Sequence, residues 1–195
     1  MRKFLILFVL ASIMYSCNKT EDAIPKNDEA TVTSFKSYII ESGRHYSNDN
    51  SFVSTSVNAL NFMVKFDSSA VYSTTDPGNQ DDINKLYGFA DNNAQHHQYS
   101  ARIGWRWSNN ALRLFGYTYN EGIVDSKELA PVDIGKENLC SIKITPQHYI
   151  FSINGMMDSL RRKSTTVKAE GYKLYPYFGG DETAPHKITI LIKDL

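Results

Sequence analysis

The sequence carries no charge excess of either sign: 21 Lys and Arg residues balance 21 Asp and Glu residues over 195 positions. That absence removes the broad electrostatic attraction that draws a protein to nucleic acid regardless of sequence, and it argues against a nucleic-acid partner. No apolar run reaches the roughly twenty residues that cross a bilayer. Cysteine is scarce, with only Cys17 and Cys140, so the chain has no disulfide framework to hold a small fold together. No long stretch places apolar residues at helical spacing, which argues against a helical core, and no internal repeat or low-complexity block suggests a solenoid. What remains is 42% hydrophobic and 12% aromatic residues, enough for one sizeable core and too short a chain for two full domains.

Residues 1–16 read as a secretory signal: Arg2 and Lys3 supply the positive start, and Phe4 to Ile13 an apolar run of about ten residues. The box Met14-Tyr15-Ser16-Cys17 resembles the relaxed processing site of Bacteroidota lipoproteins, where the cysteine is lipidated and the chain is cut before it. The resemblance implies an acylated Cys17, membrane attachment through that anchor, and a place in the cell envelope. Asn18 in the second mature position points to the outer membrane, with its periplasmic and surface faces both open. The alternative is a secreted chain in which Cys17 is incidental. Removing residues 1–16 takes away two basic groups and leaves 19 against 21, a net charge of −2. Residues 17–34 mix both charge signs with Pro25 and lack apolar periodicity, as a solvated tether does.

From residue 35 to 195 the pattern has period two. Strands are expected at Phe35–Ile40, Leu60–Phe66, Leu86–Phe89, Tyr99–Trp107, Ala111–Tyr119, Leu139–Thr145, Tyr149–Asn154, Lys173–Phe178 and Lys187–Lys193. Turn chemistry separates them at Asp76-Pro77-Gly78-Asn79, Asn109-Asn110, Asn120-Glu121-Gly122, Asn154-Gly155 and Gly179-Gly180-Asp181. The fold class is therefore all-β, an antiparallel sandwich or jelly roll, with room for a short helix over Asp81–Lys85. In Leu139–Thr145, Cys140 shares a face with Ile142 and Ile144, so it is expected as a buried thiol, and no disulfide is expected.

One hairpin carries the functional expectation. If Asn109-Asn110 makes a two-residue turn, Trp107 faces Leu112, Trp105 faces Leu114, Ile103 faces Gly116 and Ala101 faces Thr118 on the core side. The opposite face pairs Arg106 with Arg113, Gly104 with Phe115, Arg102 with Tyr117 and Ser100 with Tyr119. Flat aromatic rings suit the C–H side of a sugar, arginine forks grip carboxylate or sulfate, and Gly104 leaves room above the backbone. Two arginines directly opposite one another also call for an anion between them. Two readings stand side by side. In one, Arg102, Arg106, Arg113, Phe115, Tyr117 and Tyr119 bind a glycan; in the other, internal carboxylates and a covering segment satisfy the same face.

His96 and His97 are adjacent and in extended chain would point to opposite faces, so they make no metal site on their own. Asp76, Asn79, Asp81 and Asp82 crowd an oxygen-rich loop with a composition suited to calcium but not in EF-hand order; no cofactor is assigned from it. Asp181 and His186 lie in a constrained loop before the last strand and are additional candidates. His45 and His148 are read as structural.

Tyr99–Trp107 and Tyr175-Pro-Tyr-Phe-Gly-Gly-Asp-Glu-Thr-Ala-Pro-His186 resemble a group of Bacteroidota lipoproteins with a concanavalin A-like jelly roll, a likeness covering most of the chain after the tether. What the resemblance implies is a fold shared by lectins, glucanases and some polysaccharide lyases; fold alone does not choose among them. Glucanases of this kind carry two carboxyls in a run like Glu-x-Asp-x-x-Glu, about 5 Å apart for a retaining mechanism. No strand here contains it. Lyases use Arg against a uronate carboxylate and Tyr or His to move the proton, roles open to Arg102, Arg106, Tyr117, His96 or His97, although their Arg-x-Glu-Leu-Arg strand is absent. The expectation is thus a non-catalytic glycan-binding envelope protein, with a polysaccharide lyase as the alternative and a structural or protein-interaction role as the third reading.

Overall fold

The computed structural model describes residues 34–195. The expected signal segment 1–16, Cys17 and the tether up to residue 33 lie outside the described residues. Within them, twelve strands run in chain order: β1 (Lys36–Ile40), β2 (Ser54–Val57), β3 (Ala59–Phe66), β4 (Asn84–Ala90), β5 (Tyr99–Ser108), β6 (Ala111–Asn120), β7 (Ile123–Val132), β8 (Glu137–Ile144), β9 (His148–Ile153), β10 (Met156–Arg161), β11 (Ala169–Leu174) and β12 (Ile188–Asp194). They form two six-stranded antiparallel sheets, ordered β1-β12-β3-β8-β9-β10 and β2-β11-β4-β5-β6-β7. This is the expected sandwich.

Alternation explains why the two sheets close on each other. In β12, Ile188, Ile190 and Ile192 are buried and the intervening residues are half-exposed. Ala101, Ile103, Trp105, Leu112 and Leu114 come from the facing sheet into the same core, where Phe66, Tyr72 and Phe178 ring Trp105. Cys140 is fully buried there, and burial pushes its thiol up. The helix expected over Asp81–Lys85 is absent. A 3-10 turn at Pro77–Asp81 precedes it, with Asp76 capping the Gly78 N–H at 2.8 Å, and the chain is extended by Asn84.

A buried ion pair that the sequence did not announce joins the sheets. Asp91, following β4, accepts from Arg162 Nε at 2.8 Å and from the Tyr149 hydroxyl on β9 at 2.6 Å. Arg162, following β10, also donates to Ser164, Thr166 and the Lys168 carbonyl, so both buried charges are fully engaged.

Candidate functional site

The β5–β6 hairpin sits near the middle of the second sheet and forms with the expected register: Trp107 pairs with Leu112, Trp105 with Leu114, Arg106 with Arg113, Gly104 with Phe115, Arg102 with Tyr117 and Ser100 with Tyr119. Asn109 and Asn110 hold φ angles of 50° and 57°, the left-handed turn geometry that asparagine tolerates and that matches strand twist. The face turned away from the core is not one surface. It divides at Gly104.

Toward the turn, the face is closed. Arg113 Nη1 donates to Glu128 Oε1 on β7 at 2.7 Å, and its Nε donates to the Ser108 carbonyl. Arg106 donates to the Asp81 carbonyl at 2.6 Å, has the Asp81 carboxylate at 3.5 Å, and lays its guanidinium 4.8 Å over the Phe115 ring. The space expected above Gly104 is filled by Ile83, whose Cγ2 would stand 2.5 Å from a Cβ at that position. Arg106, Arg113 and Phe115 are therefore not brought into a shared binding face. Opposed like charges need counter-charges, and β7 and the 77–81 turn supply them internally.

Away from the turn, the same face opens into a cleft of about 470 Å³. Arg102 on β5, Tyr119 on β6, and Tyr172 and Leu174 on β11 contribute to its lining. His96 and His97 come from the β4–β5 loop, Phe52 from the β1–β2 loop, and Tyr177 from the segment after β11. Tyr117 lies beneath, buried, with its ring 5.8 Å from that of Tyr119. The two histidines do not point to opposite faces as expected for extended chain. Gln95–Gln98 is a tight turn, closed by Gln98 N–H to the Gln95 carbonyl, and it sets the two rings 4.1 Å apart.

The electrostatics are unusual for a covered surface. Arg102 is 6% exposed, yet it forms no ion pair or hydrogen bond with any described residue, and its Nε is buried without a partner. Burial lowers it to about 10. Lys85 on β4 reaches the same cleft, donates to the Ile83 carbonyl at 2.6 Å and stands 4.6 Å over the Tyr117 ring. Its burial, followed by the proximity of Arg102, brings it down to about 8. Lys173 is the third cation, and it is matched by Asp194 at 2.7 Å. Among the described residues, no Asp or Glu lines the cleft.

His96 is neutral at physiological pH. Burial, then Arg102, then His97 lower it to about 4. The Tyr172 hydroxyl accepts the His96 backbone N–H at 3.1 Å and lies 3.0 Å from Nδ1.

The remaining candidates lie elsewhere. His186 Nε2 is 2.9 Å from the Ser69 carbonyl, and Asp181 is exposed; neither lines the cleft. Between them, Glu182 accepts the backbone N–H groups of Thr75 and Asp76 and the side chain of Asn79. Three of the four oxygen-rich loop residues are already engaged: Asp76 caps its own turn, Asn79 donates to Glu182 and the Asp81 carbonyl accepts from Arg106. Among the described residues, no group of three or more His, Cys, Asp or Glu side chains is placed to hold a metal ion. His45 is stacked on Tyr177 and contacts the Phe178 carbonyl, a structural position. His148 borders a second, polar depression of about 640 Å³, where Lys163 is already paired with Glu121 and Arg162 with Asp91.

No protein-family model matches the chain, and no curated protein matches it in sequence. Solved structures do. Alginate lyase AlyC3 is similar with a TM-score of 0.56 and 9% identity, covering 81% of this chain and 72% of that one. A glycoside hydrolase family 16 endo-glucanase from Bacteroides ovatus is similar with a TM-score of 0.53 and 12% identity, covering 84% and 81%. The laminarinase catalytic domain from Thermotoga maritima is similar with a TM-score of 0.52 and 9% identity, covering 82% and 76%. At these identities the likeness concerns fold, and the fold is a concanavalin A-like jelly roll.

Proposed function

We propose that the cleft beside Arg102 binds an acidic glycan, and that the protein does so as a lipid-anchored component of the outer membrane, held through Cys17. The observation that carries the binding assignment is the buried guanidinium of Arg102 without a counter-charge. Placing a cation out of water is unfavourable unless an anion meets it, and none of the described residues supplies one. A carboxylate or sulfate on a sugar would accept its N–H groups in a fork, while Tyr119, Tyr172 and Phe52 offer flat apolar faces to the ring. Similarity to a lyase of alginate, solved also with dimannuronate, and to glucanases supports a saccharide as the ligand.

The test is direct titration of acidic and neutral oligosaccharides into wild type and Arg102→Ala. Losing a buried charged contact in the complex predicts about 2–5 kcal/mol weaker binding of the acidic ligand. A wild type that binds neither class, or an Arg102→Ala variant that binds undiminished, leaves the structural or protein-interaction reading instead.

A second reading, polysaccharide lyase activity, is favoured by His96: a neutral imidazole bonded to the Tyr172 hydroxyl is an acid–base pair next to an arginine suited to a uronate carboxylate. In that reaction a base takes the C5 proton, the C4–O bond breaks with protonation of the leaving oxygen, and a C4=C5 double bond forms. Growth of ultraviolet absorbance on incubation with polyuronate would establish it; a flat trace with retained binding supports the non-catalytic role. Retaining glycoside hydrolysis finds no support, since among the described residues the cleft lining contains no carboxyl group.

A further inference from the structure

Lys85 has no assigned role in the binding face read from the sequence, yet it is the second cation of the cleft without a carboxylate partner. Its ammonium packs against Gly179 in the loop before β12, where a Cβ would stand 2.8 Å away, and against the following groups. Arg102 approaches from β5 and Tyr117 from β6; Asp82 belongs to the turn just before β4, and Tyr177 pairs its backbone with Lys85 in both directions, at 2.8 and 2.9 Å. Of these groups only Asp82 carries negative charge. It is felt at a distance, as the weakest of the influences on Lys85, and it forms no ion pair with the ammonium. Position reinforces the point. Lys85 pairs with Gly104 and Arg102 with Tyr117, so both cations project from the outer face of adjacent strands into one cleft. Two like charges there repel each other in the empty protein, and an anion entering between them relieves both the repulsion and the lost hydration.

We propose that Lys85 is a specificity-determining residue, which together with Arg102 selects a glycan bearing an acidic group over its neutral counterpart. This assignment rests on the acidic-glycan reading of the cleft. It adds a consequence that reading lacks: binding is coupled to the charge state of Lys85. The unliganded ammonium loses its proton near pH 8. An anion in the cleft favours the charged form, so affinity is constant below about pH 8 and declines above it, by up to about tenfold per pH unit. Tyr117 is held protonated by burial through this range, and Arg102, at about 10, titrates later.

The experiment titrates three probes into the full chain between pH 6.5 and 9.5: a mannuronate tetrasaccharide, a sulfate-ester galactan tetrasaccharide and cellotetraose. The variants are Lys85→Met and Lys85→Arg, with folding checked by thermal melting. The expected result is that wild type prefers an acidic probe, that Lys85→Met weakens it by about tenfold or more with no change for cellotetraose, and that the pH dependence vanishes. Lys85→Arg, charged throughout, should keep the affinity and also lose the pH dependence. Whichever acidic probe binds tells carboxylate from sulfate. If acidic binding depends on Arg102 but is the same in Lys85→Met, the present assignment is wrong while the acidic-glycan reading stands. If wild type binds no acidic probe, the underlying reading fails and this one with it.

Discussion

Gly88 pairs with Arg102 across β4 and β5, and a methyl group there would lie 2.1 Å from the Ala101 carbonyl oxygen and 2.7 Å from the Arg102 Cα. Both neighbours are backbone and cannot swing aside, so Gly88→Ala forces the strands apart under the arginine. The expected loss is about 1–3 kcal/mol, as for overpacked interiors, read as a lower denaturation midpoint together with weakened acidic-glycan binding. At this scale the sequence was a partial guide. Arg102 and Tyr117 could be paired because Asn109-Asn110 defined the register. Lys85 could not be assigned to the cleft, because strict alternation puts it on the same face as Tyr87 and Phe89. The register shifts between Lys85 and Tyr87, and that bulge turns Lys85 outward while Tyr87 remains in the core. The fate of Arg106 and Arg113 was equally hidden, since their carboxylates come from Asp81 and Glu128, residues outside the hairpin.

Among the elements, β2, β7 and β10 were missed and all lie at sheet edges, while β11 runs over Ala169–Leu174 and meets the expected strand Lys173–Phe178 only at Lys173 and Leu174, the chain beyond leaving the sheet at Tyr175-Pro176. β7 shows why: its first six residues, Ile123–Glu128, are all exposed, so they carry no apolar alternation to read. Turns were more legible than edges because positive φ restricts the residues that can occupy them. Asn110→Val, which places a β-branched side chain at φ 57°, should destabilise the β5–β6 hairpin by about 1–2 kcal/mol, measurable by denaturant titration. The loop before β12 offers a separate test. Glu182 holds the Thr75 and Asp76 N–H groups at 2.8 and 2.7 Å, and those bonds keep its carboxyl below the usual range. In Glu182→Ala, hydrogen exchange at these two amides should accelerate, while exchange in β5 and β6 stays unchanged.

For the described molecule as a whole, the Asp91–Arg162–Tyr149 cluster is a fully buried polar link between the sheets. Burial alone would raise the Asp91 carboxyl, but the bonds from Arg162, Tyr149 and the Asn92 N–H outweigh it, and the carboxyl is held below the ordinary range. A depressed carboxyl contributes stability above its unfolded value, about 3.9, and that contribution is lost as the pH falls through the lower folded value. Asp91→Ala leaves Arg162 buried and unpaired, with an expected loss of about 3–5 kcal/mol. Relative to a total of about 5–15 kcal/mol this is a large fraction, and a melting profile between pH 2 and 7 should show both the drop and a flatter acid limb.

The place of β12 has a kinetic consequence. It lies between β1 and β3, so residues 188–194 hydrogen-bond on both sides to strands made much earlier. The first sheet cannot zip up from β1 onward, because β12, which joins β1 to β3, is made long after both. Such long-range closure makes folding slow, in the millisecond-to-second regime of sandwich proteins. Until residues 188–194 arrive, β1 and β3 stay without their shared neighbour, and the first sheet cannot close.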